Sequence, residues 1–298
     1  MVRCPMLQQQ LVNGLVLGAA YALFALGFTL VFGVLGVINL TYGVYFALGA
    51  FVALWGGKVL GLSVWLALPL GALAAGLIAV VVDTLLLTRL RKTKAPELSS
   101  LMVTIGATLF LYTGLSVVYG TDIRRFPLGF TPDHAYEFGS VRIAATQILV
   151  LVAVVIMAGG LIALMRGTKL GLAIRAVAEN AETASLMGVN GPLITYLVSF
   201  VSGALGGAAG VLIGLNSNAI QPFMGENMML RGFAVIIIGG LGDLRGALIA
   251  GVLLGIVEVL TAGYVSSAAK DLVAFALLVL TLWIRPVGLF GRVAAKRA

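Results

Sequence analysis

Long apolar stretches alternate with short polar ones along almost the whole chain. A membrane-spanning helix needs roughly 20 apolar residues, and eight stretches are predicted to span: residues 11–34, 36–57, 62–88, 98–119, 143–165, 192–215, 247–263 and 270–285. A ninth stretch, 228–238, is shorter and is predicted to be a re-entrant or broken helix. The pattern therefore predicts an all-α transmembrane bundle of eight or nine spans, forming one domain over residues 1–298.

The composition agrees with this pattern. Of the 298 residues 61% are hydrophobic and 10% are charged, and the mean hydropathy is +1.12. Such a chain is typical of an integral membrane protein. The first apolar run is longer than the core of a signal peptide, so it is predicted to be retained as a span. The single cysteine, Cys4, excludes an internal disulfide, and the single histidine, His134, excludes a His-rich metal cluster.

The formal net charge of +8 is explained by membrane topology rather than by nucleic-acid binding, because the basic residues gather at span ends. One group follows the third span: Arg89, Arg91, Lys92 and Lys94. A second group follows the fifth span: Arg166, Lys169 and Arg175. A third group lies at the end of the chain: Arg292, Lys296 and Arg297. The positive-inside rule places all three in the cytoplasm. The loop 120–142 and the N-terminus are then predicted to lie outside.

Many of the 39 glycines recur at four-residue spacing within the apolar stretches. The pairs Gly14/Gly18 and Gly251/Gly255 are examples. Such faces let membrane helices approach closely, and the alternative is that some glycines keep a solute pathway open. No internal repeat is evident in the sequence.

The segment 166–190 is too polar to cross a bilayer. Read as one helix over about 172–187, it places a small apolar set on one face: Ile174, Val177, Ala178, Ala181 and Ser185. Arg175, Glu179, Glu182 and Thr183 point elsewhere. A membrane protein with such a helix between two spans is expected to present it to a soluble partner.

Polar residues within the spans are few, and each is a candidate for function. Asp83 is predicted to reach the basic cluster at 89–94, whereas Glu258 lies deeper and needs a buried partner or an aqueous cavity. Glu258 serves either a solute pathway or a structural hydrogen bond. Asn39, Thr41 and Tyr42 open the second span, either as a broken helix at membrane depth or with Asn39 as an N-cap at the interface.

Glycines cluster in the turn 239–246. Gly239, Gly240 and Gly242 permit a tight reversal, and Asp243 is placed to cap the adjoining helix. No nucleotide-binding motif is present in the sequence, and His134 has no second histidine as a partner for catalysis. We therefore expect neither an enzyme nor a cofactor site in this chain.

Several motifs resemble those of a known family. Residues 182–188, Glu-Thr-Ala-Ser-Leu-Met-Gly, are similar to the Glu-Ala-Ala-x3-Gly motif by which permeases of ABC importers engage their ATPases. Together with residues 13–23, 33–40 and 239–246, they resemble the smaller, Liv-type permease of branched-chain amino acid ABC importers over nearly the whole chain. Thr183 departs from the motif. After Asn39 relatives commonly carry Phe-Ala-His-Gly-Glu, which this chain lacks, so urea and short amides stay open as substrates.

The resemblance implies a multi-pass subunit of the bacterial inner membrane. Its implied partners are a second related permease, two cytoplasmic ATPases that bind the ATP, a periplasmic or lipid-anchored solute-binding protein, and membrane lipid. It also implies that the ATPases are contacted through Arg175, Glu179, Glu182, Ala184 and Gly188. The alternative hypothesis is a self-contained secondary carrier or channel that uses Glu258 or Asp83 as an ion site.

Overall fold

A computed structural model describes residues 3–36, 39–93, 96–127, 129–130, 134–138 and 141–291 of the chain. Lys94, Arg292, Lys296 and Arg297 lie outside these residues. The helices are α1 (Arg3–Leu35), α2 (Tyr42–Val59), α3 (Val64–Val82), α4 (Thr88–Lys92), α5 (Glu97–Tyr119), α6 (Ala145–Gly167), α7 (Lys169–Glu179), α8 (Ala181–Leu186), α9 (Gly191–Ser217), α10 (Met224–Gly239), α11 (Leu244–Tyr264) and α12 (Ala269–Ile284). A π-helical turn, Asp83–Leu87, joins α3 to α4.

Seven of the described helices are long and apolar enough to cross a membrane: α1, α2, α3 with its continuation to Arg91, α5, α6, α9 and α11. The predicted all-α bundle is confirmed at this level. The stretches 228–238 and 270–285 lie in α10 and α12, each of 16 residues. The loop 120–142 leads into a two-stranded antiparallel hairpin, formed by Ala135–Phe138 and Val141–Ala144, that was not predicted.

Contacts with the loop 120–142 define one side of the bundle. Gln9, near the start of α1, donates a hydrogen bond to the carbonyl oxygen of Arg142 at 3.0 Å. At the end of α9, Asn218 accepts one from the backbone N–H of Phe126 at 3.2 Å. The start of α1 and the end of α9 therefore lie on the same side as this loop, as predicted for the N-terminus. The helices α1 and α9 run in opposite directions.

The helix α2 begins inside the bundle rather than at its edge. Tyr42, its first residue, donates a hydrogen bond to the carbonyl oxygen of Phe24 at 3.0 Å, well within α1. Near the other end of α2, Gly57 packs against Phe130 of the loop 120–142. The predicted span over 36–57 is thus helical only from Tyr42 and runs outward from the interior.

The helix α10 repeats this arrangement in the opposite direction. After α9 ends, Ile220 forms a bridge with Arg124 of the loop 120–142 and packs against Gly214 of α9. The chain then turns into α10, whose Gly225 meets Gly43 at the start of α2. A Cβ atom on Gly43 would lie 2.8 Å from the carbonyl oxygen of Gly225. The first turns of two oppositely directed helices therefore meet inside the bundle.

The succession α1, α2, α3 matches α9, α10, α11, and around the break between the first two helices of each half the corresponding residues are 182 apart. Leu35 and Ser217 end the first helix of each half, and Tyr42 and Met224 begin the second. The residue after each first helix has a positive φ, 65° at Gly36 and 46° at Asn218. Because α1 and α9 are antiparallel, the two halves form an inverted repeat, an architecture that is common in transporters.

Glycine-rich seams join the halves. The helices α1 and α11 are antiparallel neighbours, and a Cβ atom on Gly18 would lie 2.7 Å from both the Cα atom and the carbonyl oxygen of Val252. The helices α3 and α9 form the corresponding seam, where Gly203 packs against Ala79. The predicted role of the glycines in close helix packing is confirmed at these positions.

Candidate functional site

The polar segment 166–190 folds as two short helices. Asn180 interrupts the helix predicted over 172–187, since its backbone is extended at φ −160° and ψ 107°. Its side chain accepts a hydrogen bond from the backbone N–H of Thr183 at 2.9 Å and so caps α8. Thr168 caps α7 in the same way at Gly171, 3.0 Å away. The prediction of one continuous helix was wrong because Asn180 favours an N-cap over a helix interior.

The two sides of this segment differ in what they contact. Ile174 and Val177 are buried where α7 packs against α1, α6 and α9, as the predicted apolar face requires. Ala178, Ala181 and Ser185, which the single-helix prediction placed on the same face as Ile174, are exposed. The break at Asn180 separates the last two from α7, and Ala184 is the buried residue of α8.

The exposed side of the segment carries most of the predicted coupling residues. Arg175, Glu179, Glu182 and Gly188 are exposed, and Ala184 is buried. Leu186 and Met187 are each 83% exposed beside them. Gly188 has a φ of 85°, a backbone conformation that favours glycine. The segment thus presents two glutamates, an arginine and two exposed apolar side chains, at the opposite end of α6 from the loop 120–142.

The residues before α2 form a hydrogen-bonded turn. Asn39 accepts hydrogen bonds from the backbone N–H of Thr41, at 3.0 Å, and from the Thr41 hydroxyl. Both residues and Tyr42 are buried. Thr41, rather than Asn39, occupies the N-cap position of α2, and its side chain makes no capping bond. Of the two alternatives, the broken helix start is the one observed.

Asp83 lies in the π-helical turn with its side chain buried, and it forms an ion pair with Arg91 of α4. The predicted contact with the basic cluster is confirmed.

The buried Glu258 forms an ion pair with Arg231 of α10, whose side chain is 25% exposed. Nη2 of Arg231 lies 3.1 Å from Oε1 of Glu258 and 3.0 Å from Oδ1 of Asp271, so a single nitrogen contacts two carboxylates. The guanidinium group also lies 5.8 Å from the centre of the Tyr21 ring. Sequence reasoning missed Arg231, because the stretch 228–238 was treated as uniformly apolar. An ionisable residue within a membrane segment was the signal that could have found it.

The turn after α10 places its glycines where two backbones touch. Gly240 and Gly242 have φ values of 105° and 85°. Asp243 accepts hydrogen bonds from the backbone N–H groups of Arg245 and Gly246, at 2.8 and 3.0 Å, and so caps α11. Gly242 lies against Gly33, near the end of α1. Among the described residues, no cluster of three or more His, Cys, Asp or Glu side chains could hold a metal ion.

The family assignment comes from comparison with known proteins. A family model described as "Branched-chain amino acid transport system / permease component" matches residues 10–282. This chain belongs to that permease family. The match includes the inverted halves, the segment 166–190 and the Arg231 cluster. The members are transport permease subunits rather than enzymes, and this one is a multi-pass membrane protein.

Relatives of this permease match along almost their whole length. The chain is 32% identical to the high-affinity branched-chain amino acid transport system permease protein LivH of Escherichia coli, over 95% of both chains. It is 31% identical to the corresponding permease BraD of Pseudomonas aeruginosa, again over 95% of both. A probable LivH of Methanocaldococcus jannaschii is 30% identical over 90% of this chain and 88% of its own. No solved structure matches the chain.

Proposed function

We propose that this chain is a transmembrane subunit of an ABC importer in a bacterial inner membrane, where it forms half of the pathway for branched-chain or related small amino acids. The observation that carries the proposal is the exposed segment 166–190 in a member of this permease family. Its Ile174 side packs against the bundle, so the Glu182 side is the one that is free to contact an ATPase.

The proposed partners are a second related permease, two cytoplasmic ATPases that hold the ATP, and a periplasmic or lipid-anchored solute-binding protein. The chain itself then needs no cofactor. The whole chain acts as one membrane domain, with residues 120–142 outside and residues 166–190 as the coupling segment. The carrier hypothesis loses support, because both of its candidate ion sites, Asp83 and Glu258, have cationic partners.

We further propose nine crossings. The helix α10 starts beside Gly43 and ends at a turn that lies against Gly33, so it completes a crossing that the extended residues after α9 begin. The helix α12 ends near the same turn, where the backbone N–H of Leu289 donates to the carbonyl oxygen of Ile238 at 2.8 Å. Nine crossings put the N-terminus outside and the C-terminal basic cluster inside, in agreement with the positive-inside rule.

The pathway is proposed to pass the sites named from the sequence, Asn39, Thr41, Tyr42 and Glu258. The first three lie where α2 begins within the bundle, next to the start of α10. Broken helix starts of this kind expose backbone groups at membrane depth in transporters.

The test is charge reversal at Glu182. The Glu182→Lys variant should assemble poorly with the ATPases and lose uptake of leucine in cells, while its amount in the membrane stays normal. Glu137→Lys is the matched control, because this glutamate is equally acidic and exposed but belongs to the outer hairpin. A Glu182→Lys variant that assembles and transports normally would refute the proposed coupling role.

A further inference from the structure

Arg231 is incompletely satisfied by its own protein partners. A guanidinium group carries five N–H donors, and both observed carboxylate contacts use the same nitrogen, Nη2. Nε of Arg231 and Oε2 of Glu258 are buried without a hydrogen-bond partner among the described residues. Neither carboxylate forms the two-pronged contact that arginine favours. In an ion pair with only a structural role at this depth, each of these groups would be expected to have a hydrogen-bond partner.

A cavity leads from the outer side to Arg231. It lies between α1, α9 and α10 and has a volume of about 290 Å³. Its outer part carries the polar residues Ser217 and Gln221, and Arg231 and Tyr21 lie at its inner part. Tyr21 is roughly 18 Å along α1 from Gln9, at the helical rise of 1.5 Å per residue. The guanidinium group is therefore reached from outside but lies within the membrane.

The walls of the cavity between its outer part and Arg231 are mainly apolar. Phe46, Ile213 and Met228 contribute large side chains, and Asn227 adds one amide near Arg231. Small-molecule sites are commonly built this way, with apolar walls and a few convergent polar groups. A volume of about 290 Å³ is at the lower end of the range of such sites, roughly 300 Å³ and upward. The cavity suits a small ligand with an aliphatic part and a polar end.

A second, smaller cavity of about 80 Å³ lies on the other side of Arg231, between α10 and α12. Asn227 and Arg231 line both cavities, and Asp271 lines only the second. The Asp271 side chain is 70% exposed, in contrast to 3% for Glu258. An exposed carboxylate that pairs with the same guanidinium nitrogen as Glu258 thus lies on the side of Arg231 that faces the smaller cavity.

The charges of the cluster select among ligands. One arginine and two carboxylates carry a net charge of −1 when all are ionised, so a simple anion is repelled. A simple cation has to compete with Arg231 for the same carboxylates. A zwitterion brings a carboxylate for the guanidinium group and an ammonium group for the carboxylates, and it adds no net charge.

We propose that Arg231 and Asp271 bind the zwitterionic backbone of an α-amino acid where the two cavities meet at Arg231 and Asn227. Arg231 binds the α-carboxylate, Asp271 binds the α-ammonium from the side of the smaller cavity, and the aliphatic side chain lies in the outer cavity toward Phe46 and Met228, while Glu258 stays paired with Arg231. This rests on the proposed transport function and adds a recognition site within the permease itself.

The test compares three probes that share one carbon skeleton: leucine is a zwitterion, leucinamide is a cation and 4-methylpentanoate is an anion. They are added to the purified complex of the permease with its partner permease and ATPases, without a solute-binding protein. A ligand that binds only the folded state raises the unfolding midpoint. Leucine should raise it by several degrees, and the two singly charged probes should not.

Variants then assign the effect to the cluster. Arg231→Gln should abolish the leucine shift. Asp271 is exposed, so the Asp271→Asn substitution should leave the fold intact. This variant should need at least about tenfold more leucine to show the same shift, because one charge-assisted contact is lost. Arg125→Gln, in the outer loop, is the control and should leave the shift unchanged. If Arg231→Gln fails to fold, Asp271→Asn decides the question.

Three results would overturn the site: no leucine shift in the wild-type complex, equal shifts with all three probes, or an unchanged shift in Asp271→Asn. ATP-driven leucine uptake by proteoliposomes that contain the binding protein is measured separately. Normal uptake without a leucine shift refutes the site and leaves the transport function standing. An absence of uptake in the wild type refutes the function.

Discussion

Replacing Gly18 with alanine should destabilise the protein, although alanine is the better helix former. Gly18 lies in the seam between α1 and α11, where an added Cβ atom would be 2.7 Å from two backbone atoms of Val252 and 3.0 Å from the carbonyl oxygen of Gly251. Backbone atoms cannot move aside as the end of a side chain can. The two helices would have to separate by several tenths of an ångström along the seam.

The magnitude follows from two opposed effects. Overpacking of a tight interior contact typically costs about 1–3 kcal/mol. Part of this cost arises because separating the two helices weakens the dispersion contacts between neighbouring residues along the seam. Alanine in place of glycine in a helix gains roughly 0.5–1 kcal/mol. The net loss is therefore at most about 2.5 kcal/mol, with a central value of about 1 kcal/mol. For a large domain the central value corresponds to a fall in the unfolding midpoint of roughly 2–4 °C.

Gly159→Ala provides the matched control. Gly159 lies within α6, and an added Cβ atom there would meet no other atom within 4 Å. The same substitution should then leave the midpoint unchanged or raise it slightly. The assay is thermal unfolding of both variants in one detergent, followed by loss of monodisperse protein. A Gly18→Ala variant as stable as Gly159→Ala would refute the packing argument.

Three further perturbations test other contacts. Arg91→Ala should destabilise the protein by about 3–5 kcal/mol, because it leaves a buried carboxylate unpaired, and adding Asp83→Asn should restore most of the lost unfolding midpoint. Asn180→Ala removes the N-cap of α8 and should lower the local stability of this helix by about 1 kcal/mol. In the isolated permease, proteolysis near residue 180 should become faster while the unfolding midpoint stays unchanged. Leu186→Glu should reduce co-purification with the ATPases, and the conservative Leu186→Met should not; equal recovery of both variants would contradict a docking role.

The parts of the fold that were predictable are those that depend on local composition. The spans α1, α6 and α9 follow from apolar runs of sufficient length, and their predicted and observed ends differ mainly at the polar flanks. The capping of α11 by Asp243 follows from the same local chemistry. The break at Asn180 was available in principle, since an asparagine followed by a glutamate in the next turn is a start signal for a helix.

The features that were not predicted depend on contacts between distant residues. Arg231 and Glu258 lie on neighbouring helices, and their spacing along the chain gives no sign that they touch. The inverted repeat is carried by backbone geometry, since Gly36 and Asn218 share a positive φ but not a residue type. Gly43 and Gly225 are a pair of equivalent positions where both halves need the same small residue, because their backbones meet there.

The helix α9 joins the coupling segment to the cavity that contains Arg231. Its 27 residues extend about 40 Å at a rise of 1.5 Å per residue. At its start Asn190, the last residue of the coupling segment, accepts a hydrogen bond from the backbone N–H of Leu193 at 3.2 Å. At its end Ser217 lines the outer cavity. Because a packed helix moves as a unit, a displacement of the coupling segment that shifts α9 also moves the wall of that cavity.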